Sequence, residues 1–424
     1  MRWTQRLVNS IRAGREQRPE PGRLIMPRSE DSVRDYPSVG LTPSRLAAIL
    51  READDGSLST AMQLFEEMEE KDAHLFSVAN TRRLAITGLE WGVVSAADVR
   101  EGVDRVLAEE VTAYCREVLL GLETFEEVLQ HLALAIGRNI SIAEIVWDWD
   151  GEHLRPMEIH PIDFARIVFD EMDRWRILTE DEPQSGVAPP PNKFIAHTPH
   201  SVSGHPQRGG LLRVTAMVYL AKNLALKDWM IFAEIFGMPI RIARYEPAAT
   251  ADEKRELLRM LESLGSSAAG IFSRSVELQV IDGRRSGSQP PYKVLIEFLN
   301  REMSKAWLGQ TLTTDISGQS GSVAASKVHE AVRRDILADD IRKEGQTIRR
   351  DFLSPLTRLR FGPDAPVPFF RRKPKPIADA LDLVGMMDVA VNQLGMDVPL
   401  GWAREALGIP GMREGDSKVP GEKK

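Results

Sequence analysis

SKAWLGQTLTTDISGQSGSVAASKVHEAVRRDILADDIRKEGQTIRRDFL, residues 304–353, is the stretch on which the fold turns. A helical apolar pattern stops at Leu308 and Gly309 follows. The next residues are polar and small, with Leu312 and Ile316 the only large apolar side chains. From about 322 to 352 the pattern becomes that of a long charged helix. Val328, Val332, Ile336, Ile341, Ile348 and Phe352 recur at helical spacing and are expected to form its buried stripe. The loop offers Gln310, Thr311, Thr313, Thr314, Ser317, Gln319, Ser320 and Ser322. These supply hydroxyls and amides without the base or metal ligands that accompany a reaction. Such a loop, opening into a long helix, suits the lining of a passage.

Upstream, residues 291–308 read as a helix entered through the turn RRSGSQPP. Before it lies an α/β insert of about 45 residues: a strand in PIRIARYEP (239–247), a short helix at 250–264 and a strand in VELQVID (276–282). The insert is preceded by a helix over 209–236, closed by Gly237 with Pro239 two residues on. That helix should be roughly 40 Å long. It is apolar on nearly all sides, so it needs neighbours on several faces. Leu211, Leu220, Leu224, Trp229 and Phe232 are the candidates for contact between subunits. Arg213, Lys222, Lys227, Asp228 and Glu234 interrupt it too often for a bilayer span.

Further towards the N-terminus, residues 1–40 are rich in Arg, Pro, Gly and Ser and read as a mobile arm. Thr42-Pro43 starts a helix that Asp55-Gly56 stops. Helices are expected over 58–87, 98–120 and 124–136, with a short strand in LEWGVV (89–94). Residues 140–180 read as strands separated by turns, and 181–193 as a surface loop. Beyond the long helix the chain is proline-rich to 376, then helical over 377–394 and 399–407. The fold class is α+β, mainly helical.

Composition narrows the function. The 424 residues are 42% hydrophobic and 28% charged, with 55 basic and 62 acidic residues and a net charge of −7. That balance argues against sequence-independent DNA binding as the main task, which needs a net basic surface. One cysteine, Cys115, excludes an internal disulfide and a cysteine-based zinc cluster. There is no GxxxxGK[ST] and no strand–GxGxxG–helix unit. His197, His200 and His205 could bind zinc as part of a metal-dependent hydrolase, but their segment reads as a loop with two prolines. Asp148, Asp150, Asp163, Asp170, Glu171 and Asp173 are more simply turn and edge residues than a catalytic pair. The basic run 371–375, with Arg371, Arg372, Lys373 and Lys375, could serve a DNA-binding module; a solvated linker is the default reading. No arrangement amounts to a catalytic site, and no cofactor is expected.

Taken together, LTPSRLAAILREADDGS near the N-terminus, MEEKDAHLFSVANTRRLAITGLEWGVV, AEIVW, GGLLRVTAMVYLAKNLALKDWMIFAEIFGMPIRIARYEP, LGQTLTTD, GSVAASKVHEAVRRDILADD and the late LGIP form an ordered set. In that order the chain resembles the portal protein family of Mu-like tailed phages and related prophages, over about 41–412. The resemblance implies a homo-oligomeric ring of about twelve subunits at the portal vertex of a virion, assembled in the host cytoplasm. Double-stranded DNA passes through such rings. They dock the terminase large subunit, head–tail connector or adaptor proteins, and the major capsid or scaffold protein, with no membrane involved. It also implies a layout: an N-terminal arm (1–40), a wing (41–205), a first stem helix (206–237), a clip (238–282) and a second stem helix (283–308). A tunnel loop (309–322), a long tunnel helix returning to the wing (323–373) and a crown with the C-terminal tail (374–424) follow. The polar loop residues would then face DNA.

Overall fold

The computed structural model describes residues 18–25, 36–149, 151, 153–200, 203–237, 241–245, 248, 250–263, 269–273, 291–311, 323–373, 380–399, 401, 403–404 and 407. In chain order the first elements are helices α1 (Pro43–Asp54), α2 (Ser59–Lys71) and α3 (Ala73–Thr87), and strand β1 (Trp91–Val94). Helices α4 (Ala96–Val99), α5 (Arg105–Gly121), α6 (Phe125–Ala133) and α7 (Ala135–Arg138) come next. Strands β2 (Ser141–Trp149), β3 (Leu154–Pro161), β4 (Ile167–Phe169), β5 (Trp175–Ile177) and β6 (Phe194–His197) lead to helix α8 (Leu211–Gly237). Strand β7 (Arg241–Tyr245), helix α9 (Ala251–Ser263) and strand β8 (Ala269–Ser273) make up the insert. Helices α10 (Pro291–Leu308), α11 (Val323–Ile348) and α12 (Ser354–Phe361), strand β9 (Phe369–Arg372) and helix α13 (Ala380–Asp388) complete the order.

The body is built around β2. It pairs antiparallel with β3 on one side and β6 on the other, with a bulge at Val146/Trp147. Both faces of this strand are covered, so it reads as a near-continuous apolar run. Ile142 joins a core made by α1, α2, α3, α8 and the end of α10, with Leu46, Met68, Val78, Leu212 and Trp307. Ala143, Ile145 and Trp147 face a second core of Val111, Leu129, Phe352 and Phe370. A two-stranded ribbon of β1 and β9 borders that second core, and β4–β5 form another hairpin.

Several expectations meet a local physical reason to differ. The helix read over 58–87 breaks at Asp72, whose side chain accepts from the backbone N–H of His74 and Leu75 at 3.0 Å and so caps α3. The helix read over 98–120 becomes α4 and α5, with Asp104 capping the second piece. The long helix does not run unbroken to 352: α11 ends at Ile348, and Arg349–Leu353 form a π-helical turn leading into α12. In the insert, the second strand is Ala269–Ser273, parallel to β7; the strand expected at 276–282 lies outside the described residues. The reading of 1–40 as a mobile arm gives way at 18–25. There the backbone N–H groups of Leu24 and Ile25 donate to the buried carboxylate of Glu144. Buried Lys193 donates to the carbonyls of Glu20 and Gly22. A basic and an acidic side chain at the heart of the sheet are thus satisfied by the backbone of the arm.

Helices α8 and α10 flank the insert and run antiparallel. At one end Leu212 and Trp307 both crowd Gly137; at the other the rings of Phe232 and Tyr292 lie 5.9 Å apart. Two charges on α8 find partners in the body: Arg213 reaches Asp54 at 2.9 Å and Lys222 reaches Asp72 at 2.7 Å. Among the described residues no helix is long and apolar enough to cross a membrane.

Candidate channel loop, its anchor and the interhelical face

The second half of α11 is fastened by a polar stripe. Asp340, Glu344, Thr347 and Asp351 fall at spacings of four, three and four, which put them on one face. Arg82 of α3 grips Asp340 through Nε–Oδ2 at 2.9 Å and Nη2–Oδ1 at 3.1 Å, and its Nη1 donates to the Trp307 carbonyl at 2.9 Å. One guanidinium therefore ties together α3, the end of α10 and α11, the two helices that bracket the loop. Burial pushes the Asp340 carboxyl up, but His200 and Arg82 outweigh it and hold it below the ordinary carboxylate value. Arg372 of β9 makes a second fork, to both oxygens of Glu344 at 2.8 Å, and donates to the Leu89 carbonyl. Thr347 meets His197 Nδ1 at 2.9 Å, and Asp351 accepts from the Ala196 backbone N–H at 3.0 Å. Of the stripe expected from sequence, Ile348 and Phe352 are fully buried, and Val332, Ile336 and Ile341 are half-buried. Paired charges take the place of apolar residues at the key contacts.

Gly309 ends α10 with φ +69°, its N–H bonded to the Lys305 carbonyl at 3.0 Å. A Cβ there would meet Val332 Cγ1 at 2.8 Å, so the chain leaves α10 pressed against α11. Gln310 is only 5% exposed, and its Oε1 accepts no hydrogen bond. Its assignment to a DNA-facing surface is corrected: the side chain is enclosed within the protomer. Thr313, Thr314, Ser317, Gln319, Ser320 and Ser322 lie outside the described residues; Thr311 is the last residue described before them.

The apolar surface of α8 divides into a buried side and an exposed side. Leu220 is 3% exposed and belongs to the first core, and Leu211 packs partly against that core. Leu220 is therefore corrected from a contact between subunits to a core residue of the protomer. Leu224 and Phe232 are exposed and Trp229 is half-buried. Met217, Met230 and Ile231 on α8, and Val294, Leu295 and Phe298 on α10, are exposed with them.

The three histidines have separate partners. His197 meets Thr347, His200 accepts from Lys343 at 3.1 Å, and His205 pairs with Asp173 at 2.8 Å. No group of three metal-ligating side chains occurs among the described residues. The solvated-linker reading of 371–375 is also corrected, since Arg372 is buried in β9 with Glu344. Sequence reasoning missed both forks. No local signal marks Arg372, since Phe369–Arg372 reads Phe-Phe-Arg-Arg without alternation and its partner lies 28 residues earlier in the chain.

A family model described as the portal protein of Mu bacteriophage matches residues 62–409, from within α2 to beyond α13. The chain belongs to the Mu phage portal protein family. Among its portal relatives, the portal protein of Escherichia phage Mu is 31% identical over 392 residues, covering 91% of this chain and 74% of that protein. The Mu-like prophage FluMu protein gp29 of Haemophilus influenzae is 31% identical over 384 residues, covering 89% of this chain and 72% of that one. Among solved structures, a chain in the neck of an empty GTA particle, computed with C6 symmetry, aligns with a TM-score of 0.49 and 12% identity. It covers 96% of this portal-family chain and 99% of that chain.

Proposed function

We propose that copies of this portal-family chain close into a ring of about twelve at one vertex of a phage head, and that double-stranded DNA moves through the ring in packaging and ejection. The observation that carries the ring is the exposed apolar strip on α8 and α10. A row of Met217, Leu224, Ile231 and Phe232 beside Val294, Leu295 and Phe298 is left uncovered by the protomer, and burying it against a neighbouring copy is favourable. A closed ring needs two different complementary faces on each subunit, and a strip on one side of a helix pair suits that requirement.

In this reading α8 and α10 are the stem and residues 238–282 the clip, where the terminase large subunit and then head–tail adaptor proteins dock. Residues 41–205 form the wing, which meets the major capsid or scaffold protein. The segment from Thr311 to Ser322 lines the bore with hydroxyls and amides, which hold phosphate weakly and let the duplex slide. The role is that of a conduit, and the separate partners of His197, His200 and His205 support it over a metal-dependent hydrolase. Ring assembly takes place in the host cytoplasm, and the finished ring stays in the virion. Electron micrographs of the purified protein should show rings with a central hole; a chain that stays monomeric under all assembly conditions overturns the proposal.

A further inference from the structure

Arg100, Arg349 and Arg371 gather around the ring of Phe369, their guanidinium carbons 5.4, 4.3 and 5.4 Å from its centroid. They come from three places: Arg100 just after α4, Arg349 at the start of the π-helical turn, and Arg371 on β9. Arg358 of α12 adds a fourth charge nearby. Burial first, then the charges of Arg100 and Arg358, push the Arg349 guanidinium below its ordinary value.

Elsewhere in this protein arginines near the body meet carboxylates, as Arg82 meets Asp340 and Arg372 meets Glu344. Here several acids close by are already paired. Asp98 pairs with Arg105, Glu344 with Arg372, and Glu90 lies beside Lys373. None of the four arginines has an ion pair with a carboxylate among the described residues. Arg349 donates from Nη2 to the Val367 carbonyl at 3.1 Å, while its Nε is buried without a partner. Like charges held this close repel one another, so an anion from outside the chain would be stabilised here.

The charge density decides which anion. The three guanidinium carbons around Phe369 lie within roughly 11 Å of each other, since none is farther than 5.4 Å from the same centroid. Over that span each strand of a DNA duplex presents about three phosphate charges, at one per 3.4 Å of axis, and every one is obligatory. An extended peptide has about three residues in the same length, and every one would have to be acidic. The arginine fork also matches phosphate oxygens in a bidentate manner.

We propose that Arg100, Arg349 and Arg371, set around Phe369, form a binding site for the phosphate backbone of duplex nucleic acid. The site is separate from the polar loop and does not depend on the ring reading. The test uses the full chain and a labelled DNA duplex, with binding followed by fluorescence anisotropy from 50 to 200 mM salt. Arg100→Gln/Arg371→Gln should bind more weakly and flatten the slope of log K against log salt by roughly 1.8, about 0.9 for each lost phosphate contact. A control, Arg174→Gln/Arg255→Gln, removes the same charge from arginines that pair with Asp170 and Asp252 and should leave the slope unchanged. An unchanged slope in the first variant, or an equal flattening in the control, overturns the proposal. So does displacement of the duplex by polyglutamate at matched charge concentration, which would point to an acidic protein partner instead. Micrographs of the same samples report ring formation independently.

Discussion

Arg82 shows how much one side chain can carry. It is buried, and so is its partner Asp340, with side chains 9% and 2% exposed. Arg82→Ala would leave a buried carboxylate unpaired, a loss of about 3–5 kcal/mol. Chemical denaturation should show that drop, and Arg82→Met/Asp340→Leu should recover most of it, because replacing both charges removes the unpaired group. Two histidines set the acid limit. Burial, opposed by the Ile142 carbonyl and aided by Arg138, pushes His131 down to about 4, and burial also pushes His197 down to about 3. Both are neutral in the folded chain at neutral pH, while the unfolded chain protonates them as pH falls through about 6.5. Their contribution is therefore complete above about 6.5 and is lost progressively as pH falls towards 4 and 3. By pH 5 this costs about 2 kcal/mol per histidine. Denaturation at pH 7, 6 and 5 should show the decline, and His131→Gln should remove about half of it. Neither effect was legible in the sequence. A histidine or arginine on an amphipathic helix looks alike whether it is solvated or sealed, since its partners lie far away in the chain, as Asp340 lies 258 residues from Arg82.

Elements were more legible where local chemistry set their ends. Helix α10 runs over the residues read for it, because proline opens it and a left-handed glycine closes it. Helix α8 stops at Gly237 as its punctuation indicated. Strand β9 was illegible, since its inward Arg372 looks solvent-facing until Glu344 is found opposite. The division of α8 into a buried and an exposed portion was also illegible, because both portions are apolar. It separates two outcomes. Leu220→Asp should abolish the folded protomer, through a buried unpaired charge, with circular dichroism showing the loss of helix. Leu224→Asp should leave helix content unchanged yet prevent ring closure, so gel filtration should show a folded subunit of about 47 kDa. Rings from Leu224→Asp would place this helix face away from the proposed interface.

At the scale of the whole molecule, deletion of 311–321 tests whether the loop serves transport. Rings should still assemble, because the described contacts of α8, α10 and α11 lie elsewhere, while DNA retention or packaging falls. Loss of assembly would make the loop structural and end its proposed role in the bore. The overall architecture was readable from the order of motifs, which is a property of the entire chain, whereas the seating of residues 18–25 on Glu144 and Lys193 was not. Nothing in that arginine- and proline-rich arm signals that two buried charges need its backbone.

The grip on α11 is uneven along its length, and that has a mechanical consequence. Arg82 clamps the helix at Asp340, and every other fastening of the polar stripe lies on the C-terminal side. Ahead of that clamp Leu337 packs against the first core, and Val332 and Ile336 lie against Gly309, so this part of α11 is held to the end of α10 by apolar contact. Apolar packing slips more easily than a buried arginine–carboxylate fork, so the turn after α10 can shift along α11 while the Arg82–Asp340 anchor stays closed.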